Sequence, residues 1–144
     1  MADPYLGYRF RVEIDKIVVA AFSEATTPDS SSDVVEYREG KDLPKLKKIA
    51  GLTKYGNITL KRGMTDNMEL YNWRKIIEEH GTNSPDSRRS ISLLVVDDTG
   101  QEKARWNIFE AWPVKYDATD FNAKNSEVLL ETVELAHEGF TRIQ

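Results

Sequence analysis

The sequence predicts a mainly β fold, a β-barrel or β-sandwich with one flanking α-helix at about residues 66–80. Three observations carry this expectation. Apolar and charged residues alternate with a period of two in several stretches, which sorts them onto opposite faces of a strand. A single stretch, after Arg62, has apolar residues at helical spacing behind capping signals. Segments rich in proline, glycine and hydroxyl side chains separate these runs, as turns do. At 144 residues the chain fits one domain spanning 1–144, and a domain of this size buries roughly 70% of the surface its unfolded chain exposes.

Taken in order, Tyr8, Phe10, Val12 and Ile14 alternate with Arg9, Arg11 and Glu13, a half-buried strand. Asp15-Lys16 is a turn candidate, and the apolar run Ile17 to Phe22 reads as the returning strand of a hairpin, covered on both faces. Thr26 to Ser32 (TTPDSSS) is a loop by composition. Asp33 to Glu39 is strand-like and stops at Gly40. Residues 40–56 then break the pattern as an extended arm. Leu43, Leu46, Ile49, Leu52 and Tyr55 recur at intervals of three among five lysines. A helical turn fits Lys45 to Ala50, and an excursion of this length inside a compact domain is usually functional or disordered. The regular apolar placement favours an arm that orders against another chain.

Asn57 to Arg62 is the next strand. Asp66 followed by Glu69 fits a capping box, and Leu70, Trp73 and Ile77, with Ile76 beside them, form one apolar stripe of a helix of about four turns. Gly81 supplies a left-handed stop. Arg89 to Val96 and Lys103 to Phe109 form a second hairpin around the loop 97–102, with Ile91, Leu93 and Val95 on one face and Ala104, Trp106 and Ile108 inward. Pro113 makes Glu110 to Tyr116 an edge-like or irregular continuation, because proline cannot donate to a ladder. Ser126 to His137 is the last strand. Its apolar residues fall on both faces, so a bulge or two-sided burial is expected.

Little in the sequence points to chemistry. Without cysteine there is no disulfide, thiolate metal site or thiol nucleophile. His80 and His137 lie in no metal spacing, and no nucleophile-elbow, phosphate-loop or dinucleotide motif occurs. His80 reads as a helix C-terminal residue favoured by the dipole and His137 as a sheet or interface residue. Asp97-Asp98 reads as a solvated hairpin pair. Lys61-Arg62 raises the possibility of phosphate binding, but aromatic stacking partners in series are missing. A net charge of −4, from 20 basic and 24 acidic residues, argues against a general nucleic-acid binder. The opening MADPYLGYRF lacks the apolar centre of a signal peptide, and no apolar run approaches the roughly 18 to 20 residues of a bilayer span. The chain is therefore expected to assemble in the cytoplasm, with no cofactor and no membrane insertion.

Several stretches carry a resemblance: YRFRVEI (8–14), VVEYREG (34–40), GLTKYGNITLKRG (51–63), LYNWRK (70–75) and FEAWPVKYDATDFNAKNSEVLLETVELAHEGF (109–140). In these segments and their order the chain resembles the tail tube (inner tube) proteins of contractile phage tails and of phage-tail-like extracellular contractile injection systems. It departs from them in ATTPDSSS (25–32) and in a longer LPKLKKIAGL (43–52). The resemblance implies a fold similar to the haemolysin-coregulated tube protein. It also implies hexameric rings stacked into a hollow tube, a surrounding contractile sheath, baseplate, spike and terminator partners, and DNA, protein or toxin cargo in the lumen.

On that reading Tyr37, Arg38, Glu39, Leu46, Ile49, Leu52, Lys54, Tyr55, Lys61, Arg62, Glu131, Glu134 and His137 are expected at subunit contacts. Phe10, Val12, Leu70, Trp73, Ile77, Leu93, Trp106 and Ile108 are expected in the core. The alternative is a small-ligand-binding β-barrel, monomeric and hollow. An enzyme ranks third, with Glu131, Glu134 and His137 its only nominees.

Overall fold

A computed structural model describes residues 9–15, 17–38, 40, 46–120 and 129–144. Tyr8, Lys16, Glu39, Leu43, Lys45 and the expected strand start at 126–128 lie outside the described residues. Strands β1 (Arg9–Ile14) and β2 (Ile17–Phe22) pair as an antiparallel hairpin, and β3 (Glu24–Ala25) follows after Ser23. Among the described residues, strands β4 (Ser30–Tyr37) and β5 (Lys47–Tyr55) pair only with each other. Strand β6 (Ile58–Gly63) leads to helix α1 (Glu69–His80), and the remainder is β7 (Arg89–Val96), β8 (Glu102–Asp120), β9 (Leu129–Ala136) and β10 (Gly139–Arg142).

Eight strands form one curled sheet in the order β2-β1-β7-β8-β9-β6-β3, with β10 pairing β8. Among the described residues the ladder is not closed by strand pairing, so the barrel is an open one. Its ends are nonetheless brought together by the chain itself, because β2 pairs β1 and β3 pairs β6 with only Ser23 between them. The Ser23 amide donates to the Lys61 carbonyl at 2.9 Å, and its hydroxyl reaches the same oxygen at 3.1 Å. Strand β8 serves both halves of the sheet: residues up to Ala111 pair with β7 and β10, and those from Trp112 onward pair with β9. Glu110 sits at φ +55, and the register shifts again between Pro113 and Lys115. The irregularity read from Pro113 is thus a bend within one 19-residue strand.

Inside the curl, Val12, Phe22, Leu60, Leu93, Ile108, Val133 and Leu135 pack with Leu70 and Trp73 of α1, while Phe10 and Trp106 are partly buried at the margin. Ile77 is buried on the same helix face. Trp73 Nε1 donates to the Ser87 carbonyl at 2.7 Å, Ser87 Oγ donates to Gly81 O at 2.6 Å, and the Arg89 guanidinium lies 5.1 Å from the Trp73 ring. One aromatic side chain therefore fixes the helix, the loop after it and the start of β7.

Four local expectations are corrected. The helix starts at Glu69, not Asp66, and no capping box forms: Asn67 Oδ1 accepts from the Glu69 amide at 2.8 Å, and Thr65 Oγ1 from the Asn67 amide at 3.2 Å. An Asx turn has taken the place of the box. The loop at 26–32 ends early, since β4 already begins at Ser30. No helical turn occupies the described part of 45–50, because Lys47 to Ala50 belong to β5. Gly51 and the β-branched Ile49 and Thr53 weaken a helix there, and β4 offers a partner. Finally, β9 has a clear single-face register, with Glu131, Val133 and Leu135 buried. A glutamate on the buried face concealed it.

Candidate functional site

The feature that stands apart is the β4–β5 ribbon. Every residue of β4 is exposed, and so is every residue of β5 except Gly51. Its ladder runs from Ser30↔Tyr55 to Tyr37↔Lys47 with a bulge opposite Ser32 to Val34. Gly51 lies at that bulge, where an added Cβ would meet Val35 Cγ2 at 3.1 Å and Asp33 O at 3.2 Å. The bulge at Gly51 shifts the alternation of β5, so the two faces are read from β4, where the adjacent Val34 and Val35 point to opposite sides and both surfaces of the ribbon are apolar. Val34, Val35 and Tyr37 of β4 are joined by Leu46, Ile49 and Leu52, with exposures from 39% for Tyr37 to 71% for Leu52.

The base of the ribbon is tied to the body. The Tyr55 ring packs 5.7 Å from His137 and 5.9 Å edge-on to Phe140. The Gly56 amide donates to Asp29 Oδ1 at 3.0 Å. Gly139 donates its amide to His137 Nδ1 at 3.1 Å, so Nε2 carries the proton and donates to the Gly56 carbonyl at 2.9 Å. His137 thereby joins the β9–β10 turn to the ribbon root. Along the ribbon, Lys54 pairs with Asp33 at 3.3 Å, and Arg38 is exposed.

The remaining expected contact residues separate from this surface. Arg62 and Glu131 are corrected outright: they form an internal ion pair, Nε to Oε1 at 2.7 Å, with residue exposures of 8% and 2%. The Tyr116 hydroxyl donates to Glu131 Oε2 at 2.6 Å. Burial first, and then this bond to a carboxylate, pushes the Tyr116 phenol up to about 12. Arg62 Nη2 has no hydrogen-bond partner, and its guanidinium lies 5.5 Å from the Phe22 ring. Lys61 stays at the surface, 3.5 Å from Glu24. Glu134 accepts from Asn57 Nδ2 at 2.8 Å. The nominated cluster of Glu131, Glu134 and His137 is therefore dispersed among three different partners, and no group of three potential metal ligands occurs among the described residues.

Sequence reasoning missed a second exposed apolar set: Met64, Met68 and Leu129 around the start of α1, with exposures of 37%, 56% and 44%. The only sequence signal for it is the pair of methionines four apart before the helix. In the loop after β7, Asp97 accepts from the Thr99 hydroxyl and from the Thr99 and Gln101 amides, and the hydroxyl bond foremost holds its carboxyl below the usual range. That is a closed turn, not a vacant ligand set.

An open β-barrel with a helix packed against it and a projecting, surface-apolar ribbon defines an architecture with surfaces suited to assembly. Over residues 6–141 the chain matches the family described as T4-like virus tail tube protein gp19, and it belongs to that family as a structural tube subunit. No curated protein sequence matches it. Among solved structures it is similar to a chain of the PVC sheath-tube complex, an extracellular contractile injection system in its extended state. That match has 25% identity and a TM-score of 0.78, covering 97% of this chain and 91% of that one. A chain of the anti-feeding prophage tube-terminating cap shares 23% identity and a TM-score of 0.78, covering 100% and 93%. Hcp1 from Flavobacterium johnsoniae shares the fold at 16% identity and a TM-score of 0.57, covering 93% and 94%.

Proposed function

We propose that the subunit forms hexameric rings which stack into a hollow tube, without catalytic activity, and that the β4–β5 ribbon makes the contacts between subunits. The observation that carries this is the ribbon's exposure. An isolated two-stranded hairpin is marginal in water, and this one presents apolar side chains on both faces. A neighbouring copy supplies the missing burial, and pairing between copies also disposes of sheet edges that would otherwise aggregate. Tyr37, Arg38, Leu46, Ile49, Leu52 and Lys54 are its contact residues, with Lys61 and Glu134 at the rim of the body. His137 and Tyr55 act within the subunit by holding the ribbon at its root.

The tube lies inside a contractile sheath and ends against baseplate, spike and terminator proteins, a reading supported by family membership and by likeness to sheath-tube, cap and baseplate chains. Assembly takes place in the cytoplasm, and the product is a phage tail or a tail-like particle whose lumen carries DNA, protein or toxin. A ligand-binding barrel is disfavoured by the packed interior, where Trp73, Leu60, Ile108 and Leu135 are almost fully buried.

Size-exclusion chromatography followed by negative-stain imaging tests the proposal. Rings or tubes of uniform diameter are expected from the intact chain. Deleting Leu46 to Ala50 is expected to leave a folded subunit that forms no tubes. Long tubes from the deletion variant would refute the role given to the ribbon.

A further inference from the structure

The root of the ribbon rests on the turn between β9 and β10, and His137 is the side chain that closes that turn. Its Nδ1 accepts the Gly139 amide at 3.1 Å, and its Nε2 donates to the Gly56 carbonyl at 2.9 Å. Tyr55 sits on the same turn. Its ring lies 5.7 Å from the His137 ring and 5.9 Å from that of Phe140, and a Cβ added at Gly139 would touch it at 3.5 Å. The turn is thus the floor under Tyr55, and the bond from Gly139 to His137 sets the shape of that floor.

Only one form of the ring permits this arrangement. A backbone amide donates and cannot accept, so Nδ1 must carry a lone pair and the imidazole must be neutral. A proton added at Nδ1 sets donor against donor. The Nε2 bond to Gly56 survives it, but the buried Gly139 amide is left without its acceptor.

The charged groups on the surrounding elements are Asp29, Glu134, Glu138, Glu110 and Arg88, and the carboxylates among them are engaged elsewhere. Asp29 holds the Gly56 amide, Glu134 accepts from Asn57, and Glu138 and Glu110 both face Arg88 at 2.6 and 3.8 Å. None of them is ion-paired to the His137 ring among the described residues. A proton on Nδ1 therefore gains no carboxylate in exchange for the bond it breaks.

We propose that His137 is an acid-sensitive latch: protonation at Nδ1 releases the β9–β10 turn from under Tyr55, loosens the ribbon root and so withdraws the subunit from assembly. The proposal rests on the tube reading above and adds to it control by pH. Closing the root selects the neutral ring and expels the Nδ1 proton, so assembly is favoured on the alkaline side and lost on the acid side.

Histidine ordinarily changes charge between about pH 5 and 8, and sedimentation of the full chain, brought to either limit before assembly, tests the latch. The chain has two histidines, and His80, at the exposed end of α1, serves as the control. The parent and His80→Gln are expected to pellet as tubes at the alkaline limit, and at the acid limit the pellet should fall to about a tenth or less. His137→Asn keeps an acceptor for the amide two residues on, in a side chain that does not titrate, and is expected to pellet equally at both limits. Parent tubes undiminished in acid, or His137→Asn tubes lost in acid as the parent's are, would overturn the proposal. A second measurement leaves His137 unchanged. In solid-state NMR of His80→Gln tubes with isotope-labelled histidine, the one remaining ring is expected to show a bare Nδ1 and a protonated Nε2 at the alkaline limit; a proton on Nδ1 there would overturn the proposal whatever the variants do. The outcomes separate from those of the tube reading. Tubes that form in alkali and persist in acid refute the latch alone, whereas a chain that assembles at neither limit refutes both.

Discussion

The β6–β9 and β4–β5 pairs are both antiparallel ladders six to eight or so residues long, yet they are stabilised in opposite ways. In the first, burial alternates along each strand: Ile58, Leu60 and Arg62 on β6 meet Glu131, Val133 and Leu135 on β9. In the second, the backbone pairs just as regularly and almost nothing is buried. Backbone hydrogen bonds contribute only about 0.5–1.5 kcal/mol each once exchange with water is counted. A ladder therefore persists according to what its side chains cover. The body covers its own, and the ribbon leaves that to a neighbour. Substitutions in the body should lower stability, whereas substitutions in the ribbon should lower assembly and leave stability alone.

The largest effect is expected at Glu131. Glu131→Ala removes the partner of buried Arg62 and the acceptor of Tyr116 together. Removing one member of a buried ion pair strands the other charge, typically at a cost of about 3–5 kcal/mol. Urea unfolding in the background of the Leu46 to Ala50 deletion, expected not to assemble, measures this without the complication of tubes. A loss below about 1 kcal/mol would mean that the body is not held as described.

The same residue shows where the sequence was legible and where it was not. Periodicity found β1, β7 and the first half of β8, because apolar residues recur there at alternate positions, and β2 was legible as a continuous apolar run. It found Trp73 and the stripe beside it because helical spacing is hard to imitate. It failed on β9 because a charged residue occupies a buried position there, and its partner Arg62 is 69 residues away in the chain. It failed on β5 for the opposite reason: apolar residues three apart look helical until β4 is seen to pair with them. The ribbon was noticed as anomalous, but the Met64–Met68 patch was not. Exposure is a property of the fold, and two methionines before a helix carry no period that reveals it.

A smaller effect is expected from Tyr116, and it depends on pH. Its phenol is raised from 10 to about 12 in the folded chain, so between those values the folded state holds a proton that the unfolded state has released. The contribution is fully present below pH 10 and is lost as pH rises toward 12. Tyr116→Phe should therefore lose a modest amount of stability at neutral pH, from the missing bond to Glu131, and should show a shallower decline above pH 10 than the parent. Identical slopes for the two proteins over that interval would show that Tyr116 does not titrate as its surroundings dictate.

The smallest effect on stability is expected in the ribbon, and there it is the contrast that is informative. Ile49→Ser with Leu52→Ser replaces side chains that are 49% and 71% exposed and removes no hydrogen bond identified in the described structure. Surface changes of that kind usually stay within about 0.5 kcal/mol, so the urea midpoint of the double variant should match that of the parent when both are measured as unassembled subunits. In sedimentation under assembly conditions, the parent should pellet as tubes and the double variant should remain in the supernatant. If stability falls by more than about 1 kcal/mol, the ribbon is buried against its own subunit in solution, and the contrast with β6–β9 disappears. If stability holds and tubes still form, ribbon burial by a neighbour is not what drives assembly. Unchanged stability with lost assembly is the one combination expected of a strand pair whose apolar faces are covered by another chain.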